Sequence, residues 1–313
     1  MSLNRQADSL FKDQFQQWPQ AKESYDALRF VKTRPFKVGE LSFKVQFNPA
    51  RIVSSAAKVD KESIAVRRCF LCKEHRPQQQ QGIDYGNYTI LINPFPIFPK
   101  HLTITHNLHT DQLIEGRFHE MLDLAKELDE YVIFYNGPKC GASAPDHMHF
   151  QAGNKGFMPL EDLISLSKKR VIHSDTYSEI SYLESGINGV IILKSSDLKQ
   201  AVRNFEILLK NINKAPQDAE PQFNIHTYYE NGIWTTIVYL RVKHRPSHFF
   251  REGDEQIMLT PGAVDLGGVL ITPMERDYAR LDEKIVEEIF SEVLLSYEDT
   301  TKLGKQLEVK YKL

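Results

Sequence analysis

The sequence predicts an α+β protein built mainly on antiparallel sheet with flanking helices. Segments that alternate apolar and polar side chains, the pattern of half-buried strands, are interleaved with segments whose apolar residues recur every three to four positions, the pattern of amphipathic helices. The strands meet through short turns, which antiparallel pairs permit and parallel pairs do not. A strand–helix–hairpin order also appears twice, about 100 residues apart, as a diverged internal duplication would produce.

Taken in order, residues 7–30 read as helix with an exposed polar face. LSFKVQFNPAR (41–51) alternates and then turns at Asn48-Pro49, giving a strand. RRCFLCKEHRPQQQQG (67–82) is loop-like, and YGNYTILINPFPIFPKHLTITH (85–106) reads as strand, proline-rich turn, strand. Ile114, Phe118, Met121, Ala125 and Leu128 fall at helical spacing, so a helix is expected from about Thr110 to Asp129, with Asp111 near its start. YVIFYNG (131–137) is a β-branched and aromatic strand closed by Asn-Gly. In the second half INGVIILKSS (187–196) is strand and DLKQAVRNFEILLKNINK (197–214) an amphipathic helix. FNIHTYYENGIWTTIVYLRVKH (223–244) is a hairpin around Glu230-Asn231-Gly232, and DEKIVEEIFSEVLLSYE (282–298) a late helix. Residues 1–165 are expected to form a catalytic half and 166–313 a diverged second half.

Composition narrows the function. A formal net charge of −2 gives no electrostatic footprint for nucleic acid or a membrane surface. No apolar run approaches the roughly 18 residues that span a bilayer, and the N-terminus lacks the apolar core of a signal peptide, so a cytoplasmic location is expected. Three cysteines are too few for a disulfide scaffold, and Cys69-Phe-Leu-Cys72 has the spacing of metal or redox work. No βαβ context accompanies it, which argues against a thioredoxin-like motif. A zinc site would need two more ligands, with His75, His101, His106, His109 and His147 as candidates.

The chemistry concentrates in YNGPKCGASAPDHMHFQAG (135–153). On a strand, side chains two apart share a face, so His147, His149 and Gln151 would point one way and Met148 and Phe150 the other. The plain alternative is a half-buried strand with its polar side in water. The two histidines could also ligate zinc directly, as in a metal hydrolase. In the third reading one imidazole attacks phosphorus, Gln151 bonds a phosphoryl oxygen, and the small residues 137–145 offer backbone N–H groups to the anion. The loop favours that reading. Lys139, Arg51 and Lys58 are candidate cations for phosphate, and RVKHRP (241–246) is a basic cluster that could reach one.

The ordered set CFLC, HLTITHNLHTDQL, a helix and strand, then NGPKCGASAPDHMHFQ resembles the galactose-1-phosphate uridylyltransferase branch of the histidine-triad superfamily. That branch includes dinucleoside polyphosphate phosphorylases and GDP-hexose phosphorylases, and HMHFQA with the upstream FNPAR is most similar to the last. The likeness covers about residues 41–155, and beyond them rests on the duplicated layout. It implies a duplicated histidine-triad-like fold whose second copy lacks His-x-His-x-Gln. It implies a nucleotidyltransferase of phosphorylase type, acting on a nucleotide sugar or a dinucleoside polyphosphate, with phosphate or a sugar phosphate as acceptor. His149 would be the nucleophile, Gln151 would hold the α-phosphoryl group, Ser143 with Gly141 and Ala142 would contact phosphate, and His147 would orient the site or bind zinc. Cys69, Cys72, His106 and His147 would hold a structural zinc, and no organic cofactor is implied. One departure stands out: Asp146 is inserted between Pro145 and His147, which moves the chain from the uridylyltransferase spacing toward the phosphorylases. Monomer and homodimer both remain compatible with the resemblance, and a non-catalytic nucleotide-binding protein is the alternative from another class.

Overall fold

The strands alternate side chains across their two faces, and the inner ones are buried on both, so they must stack between two apolar layers. The computed structural model, which describes residues 1–51 and 61–312, shows how. Its strands are β1 (Lys32–Val38), β2 (Leu41–Phe47), β3 (Gly82–Tyr85), β4 (Tyr88–Ile92), β5 (His101–His106), β6 (Tyr131–Asn136), β7 (His149–Asn154), β8 (Lys169–Ser174), β9 (Ser178–Leu183), β10 (Val190–Ser195), β11 (Phe223–Glu230), β12 (Ile233–Leu240) and β13 (Val269–Thr272). Ten of them form one sheet in the order β3-β4-β5-β7-β6-β11-β12-β10-β9-β8, every neighbouring pair antiparallel. The other three form a small sheet in which β13 runs parallel to β2.

The α+β expectation is met, and the strand order makes the duplication visible. Read outward from the β6–β11 seam, each side runs in the same sense: β6, β7, β5, β4, β3 on one, β11, β12, β10, β9, β8 on the other. The helices Phe118–Glu127 and Leu198–Asn211 occupy matching places between the third and fourth members of each set in the chain. They pack together through Phe118 and Phe205, whose rings stack at 3.9 Å.

One face of the large sheet is covered by these helices and by the terminal helices Leu3–Gln17, Pro19–Ala27 and Tyr297–Lys310. Met148, Phe150 and Ala152 are fully buried in that layer. Strand alternation therefore turns His149 and Gln151 to the opposite face, where Phe134, the small sheet and the 257–271 region form a second core. This alternation aims the polar pair at one cavity.

Three expectations change. Residues 110–117 are irregular rather than helical, because Gly116 adopts φ +73° and the helix starts only at Phe118. The N-terminal helix is broken at Trp18-Pro19, where proline opens a second helix. Residues 297–310 form a helix whose weak apolar periodicity hid it; Gly304 lies against Tyr182, where a Cβ would come within 2.7 Å of the ring.

Candidate active site

The site grows out of β7 and the long connection before it. His149, buried and first in the strand, donates from Nδ1 to the carbonyl of His147 at 2.8 Å. That bond places the proton on Nδ1 and leaves the lone pair on Nε2. Burial pulls its pKa down to about 4, with the His147 carbonyl opposing, so the ring is neutral at physiological pH. Gln151, two residues on, shares its face. Its Oε1 accepts from His101 Nε2 at 3.0 Å, while His101 Nδ1 accepts from the Ile97 amide at 3.1 Å. With Oε1 engaged, the amide nitrogen of Gln151 is the group left to donate. Burial, and secondarily the charge of Arg51, pushes His101 down to about 3, so this arrangement does not protonate in the working range.

His149 and Gln151 line a cleft of about 620 Å³. The small-residue loop brings Gly141, Ala142 and Ser143 into its wall. Gly141 sits at φ +95° and approaches the backbone of Gly262 so closely that a Cβ would meet its Cα at 3.2 Å, so a larger residue there would be both strained and crowded. Arg51 also lines the cleft and donates to the Phe95 carbonyl at 2.7 Å; burial lowers its pKa to about 10, which leaves it charged. Lys139 does not reach the cleft and pairs with Asp218 instead. Lys58 lies outside the described residues.

The second half closes the cleft with His244, Arg245, Thr260 and Asp265. Arg241, buried, donates to Asn224 Oδ1 at 3.1 Å, to the carbonyls of Lys243 and His244, and to that of Pro261, which folds the chain over the cleft. Of the basic run 241–246, Arg241 is therefore a structural hub, Lys243 pairs with Glu292, and His244 and Arg245 face the cleft. Asp265 accepts from the Gly262 and Ile271 amides, and burial raises its pKa to about 6. Asn136 Oδ1, accepting from Asn224 and from the Ala263 amide, ties β6 to this wall.

Beside the cleft lies a cysteine–histidine cluster. Cys69, Cys72, His109 and His147 each offer one ligand atom, all within 4.8 Å of one another. His147 Nδ1 is 3.3 Å from Cys69 Sγ and 3.5 Å from Cys72 Sγ, and His109 Nδ1 is 3.2 Å from Cys72 Sγ. Two sulfurs and two imidazoles form the donor set of a tetrahedral zinc site, and His147 fits it: its Nε2 donates to the His106 carbonyl at 2.8 Å, freeing Nδ1 as a ligand. This corrects the expected ligand set. His106 is not in the cluster; its Nδ1 accepts from the Leu108 amide at 3.1 Å and its ring stands edge-on to Tyr88. As the last residue of β5 it is fixed by the strand, whereas His109 lies in the turn beyond, where its ring reaches Cys72 and packs edge-on to His147. His147 likewise precedes β7 rather than belonging to it, and turns to the cysteines instead of the cleft. The extra Asp146 is absorbed in a turn closed by His147 N to Ala144 O, pairs with Arg67, and lies 3.8 Å from His109 Nε2.

A protein-family profile described as a domain of unknown function, DUF4922, matches residues 10–154. No curated protein matches the chain. Among solved structures, yeast Ap4A phosphorylase Apa2 superposes with a TM-score of 0.58 at 15% identity, over 89% of this chain and 97% of that one. The same protein in complex with AMP gives 0.57 at 17%, covering 89% and 96%, and in complex with Ap4A 0.54 at 16%, covering 90% and 97%. The chain has the fold of this Ap4A phosphorylase. It is the histidine-triad-like architecture that the motif order implies.

Asn136 and Asp265 were not singled out from the sequence, and His101 and Arg241 stood out only as a zinc-ligand candidate and as part of a basic run. Each acts through partners far away in the chain. For His101 the sequence held one further signal, a histidine entering an apolar strand after a proline-rich turn.

Proposed function

We propose that the protein is a nucleotidyltransferase of phosphorylase type that works through a nucleotidyl-histidine on His149. The observation that carries this reading is the fixed Nδ1–H tautomer of a buried, neutral His149 whose face is shared by Gln151 and opens on a cleft walled by the small-residue loop. Nε2 attacks the α-phosphorus, the N–P bond forms, and the P–O bond to the leaving phosphate breaks. A phosphate oxygen then attacks the same phosphorus, the N–P bond breaks, and a nucleoside diphosphate leaves. The Gln151 amide, Ser143 and the backbone of 141–143 meet the charge on the phosphoryl oxygens, and Arg51 and Arg245 supply positive charge nearby.

A nucleotide sugar, with a GDP-hexose favoured by the wording of HMHFQA, is the first substrate class to test. The likeness to a solved Ap4A phosphorylase supports a dinucleoside polyphosphate as the second reading. Residues 1–165 are the catalytic half in this reading, and 166–313 complete the cleft. Cys69, Cys72, His109 and His147 would hold a zinc ion that braces the loop before β7 and takes no part in bond making. Among the described residues no helix is long and apolar enough to cross a membrane.

The test is a phosphorolysis screen of GDP-, UDP- and ADP-sugars and dinucleoside polyphosphates with phosphate, scoring released nucleoside diphosphate. Turnover by the wild type that His149→Ala abolishes, with a nucleotidyl adduct trapped when phosphate is withheld, supports the reading; full turnover by His149→Ala overturns it. Zinc content measured by atomic spectroscopy, near one per chain and lost in Cys69→Ser, checks the metal assignment, and a metal-free active wild type would refute it.

A further inference from the structure

We propose that Gln112 is the positioning residue that holds the His149 backbone in place for attack. The proposal rests on the nucleotidyl-transfer reading. Gln112 is fully buried in the irregular stretch between β5 and the helix Phe118–Glu127. Its side-chain Oε1 accepts from the His149 amide at 2.8 Å, and its Nε2 donates to the His149 carbonyl and to the Asn136 carbonyl, both at 3.0 Å. Its own backbone is pinned as well: its amide donates to the Pro145 carbonyl at 3.2 Å and its carbonyl accepts from the Tyr135 hydroxyl at 3.1 Å.

The sheet explains why these bonds are needed. β6 and β7 pair from Tyr131↔Asn154 to Phe134↔Gln151. Continuing the register would set Asn136 opposite His149. The strands part there instead, because the loop 137–148 has to leave between them and present its small residues to the cleft. Parting would leave the amide and carbonyl of His149 buried and unpaired, next to the group that must hold still. The carboxamide of Gln112 takes the place of the missing strand partner. The task needs one acceptor and two donors at this reach. Glutamate lacks the donors, and asparagine is one methylene short. The orientation of the His149 ring is set by its bond to the His147 carbonyl, so a shift of this backbone moves Nε2 directly.

The experiment compares Gln112→Met and Gln112→Glu with wild type in the full chain. Met keeps the length and removes all three bonds; Glu keeps the acceptor for the His149 amide. Expected for Gln112→Met is a fall in kcat of about 10- to 100-fold with KM for the nucleotide substrate held within roughly threefold, and a smaller fall in kcat for Gln112→Glu. The second readout is the 15N spectrum of histidine-labelled protein, in which His149 should pass from a single Nδ1–H tautomer to a mixture in Gln112→Met. Unchanged kcat, or kcat and KM worsening together with an unaltered His149 spectrum, overturns the proposal. If Gln112→Met does not fold, the same split is read on Gln112→Glu, and failure of both to fold assigns Gln112 a purely structural role. If the wild type turns over none of the nucleotides, the proposed function fails, and the His149 spectrum alone decides the role of Gln112.

Discussion

The two halves of the large sheet share a strand order and differ at the connection that leads into β7. In the second half β11 passes to β12 through Asn231 and Gly232 alone, with φ of 52° and 80°, as a two-residue type I′ hairpin demands, and pairing runs unbroken to Glu230↔Ile233. In the first half the matching connection, β6 to β7, takes residues 137–148 and gives up the last strand pairs. A tight hairpin therefore suffices to build the sheet. The longer loop, the parted strands and the Gln112 strut are additions that serve the cleft. The second half in turn contributes Arg245 and Asp265 from the chain after its hairpin.

Substitutions can break this contrast. His149→Ala, at the first residue of β7 and the proposed nucleophile, is expected to lower kcat at least about 10³-fold while nucleotide affinity, read by calorimetry, persists. Comparable turnover in that variant would mean that the long loop serves something else.

Glu220 probes the seam between the halves. Its Oε1 is hydrogen-bonded with the Tyr135 hydroxyl on β6, and its Oε2 accepts from the Ile114 amide at 3.0 Å. Burial raises its pKa from 4.5 to about 7, against the pull of those two bonds. The folded protein thus keeps a proton that the unfolded chain has released. Its stabilising contribution is complete below about pH 4.5 and is lost as pH rises through about 7. At about 1.4 kcal/mol per pH unit the span corresponds to about 3 kcal/mol. Urea unfolding of wild type and Glu220→Gln at pH 4.5 and 8 checks this: the difference between the two proteins should change by that amount, and a pH-independent difference would sink the idea.

Arg245→Ala tests the second half's share in the cleft. Loss of a charged donor there should raise KM for phosphate about tenfold and leave the nucleotide adduct on His149 able to form. An equal loss in adduct formation would place Arg245 with the nucleotide instead.

Much of this was legible in the sequence because the information is local. Alternation gave β7 its two faces, Asn231-Gly232 marked the turn between β11 and β12, and the small residues beside His-x-His-x-Gln marked the loop. What could not be read depends on contacts across the fold. The apolar spacing of Ile114 suggested a helix start that the positive φ of Gly116 and the strut role of Gln112 forbid. His106 and His109 are indistinguishable by spacing, and only the end of β5 decides which one turns toward Cys72. The basic run 241–246 split into a buried hub, a surface pair and two cleft residues through partners such as Asn224 and Glu292.

A ten-stranded sheet with bare margins would be a template on which further chains could stack. Here both margins are blunted. β3 is four residues long and runs under the helix Leu3–Gln17, whose Gln14 bonds the Gln79 carbonyl and the Gln81 amide on either side of its own. β8 carries exposed Lys169 and Arg170, loses register between Val171 and His173, and is flanked by the helix Tyr297–Lys310. Charge, irregularity and cover at the two rims are the devices that disfavour edge-to-edge pairing of a sheet with another copy, and a ten-stranded open sheet needs them at both ends.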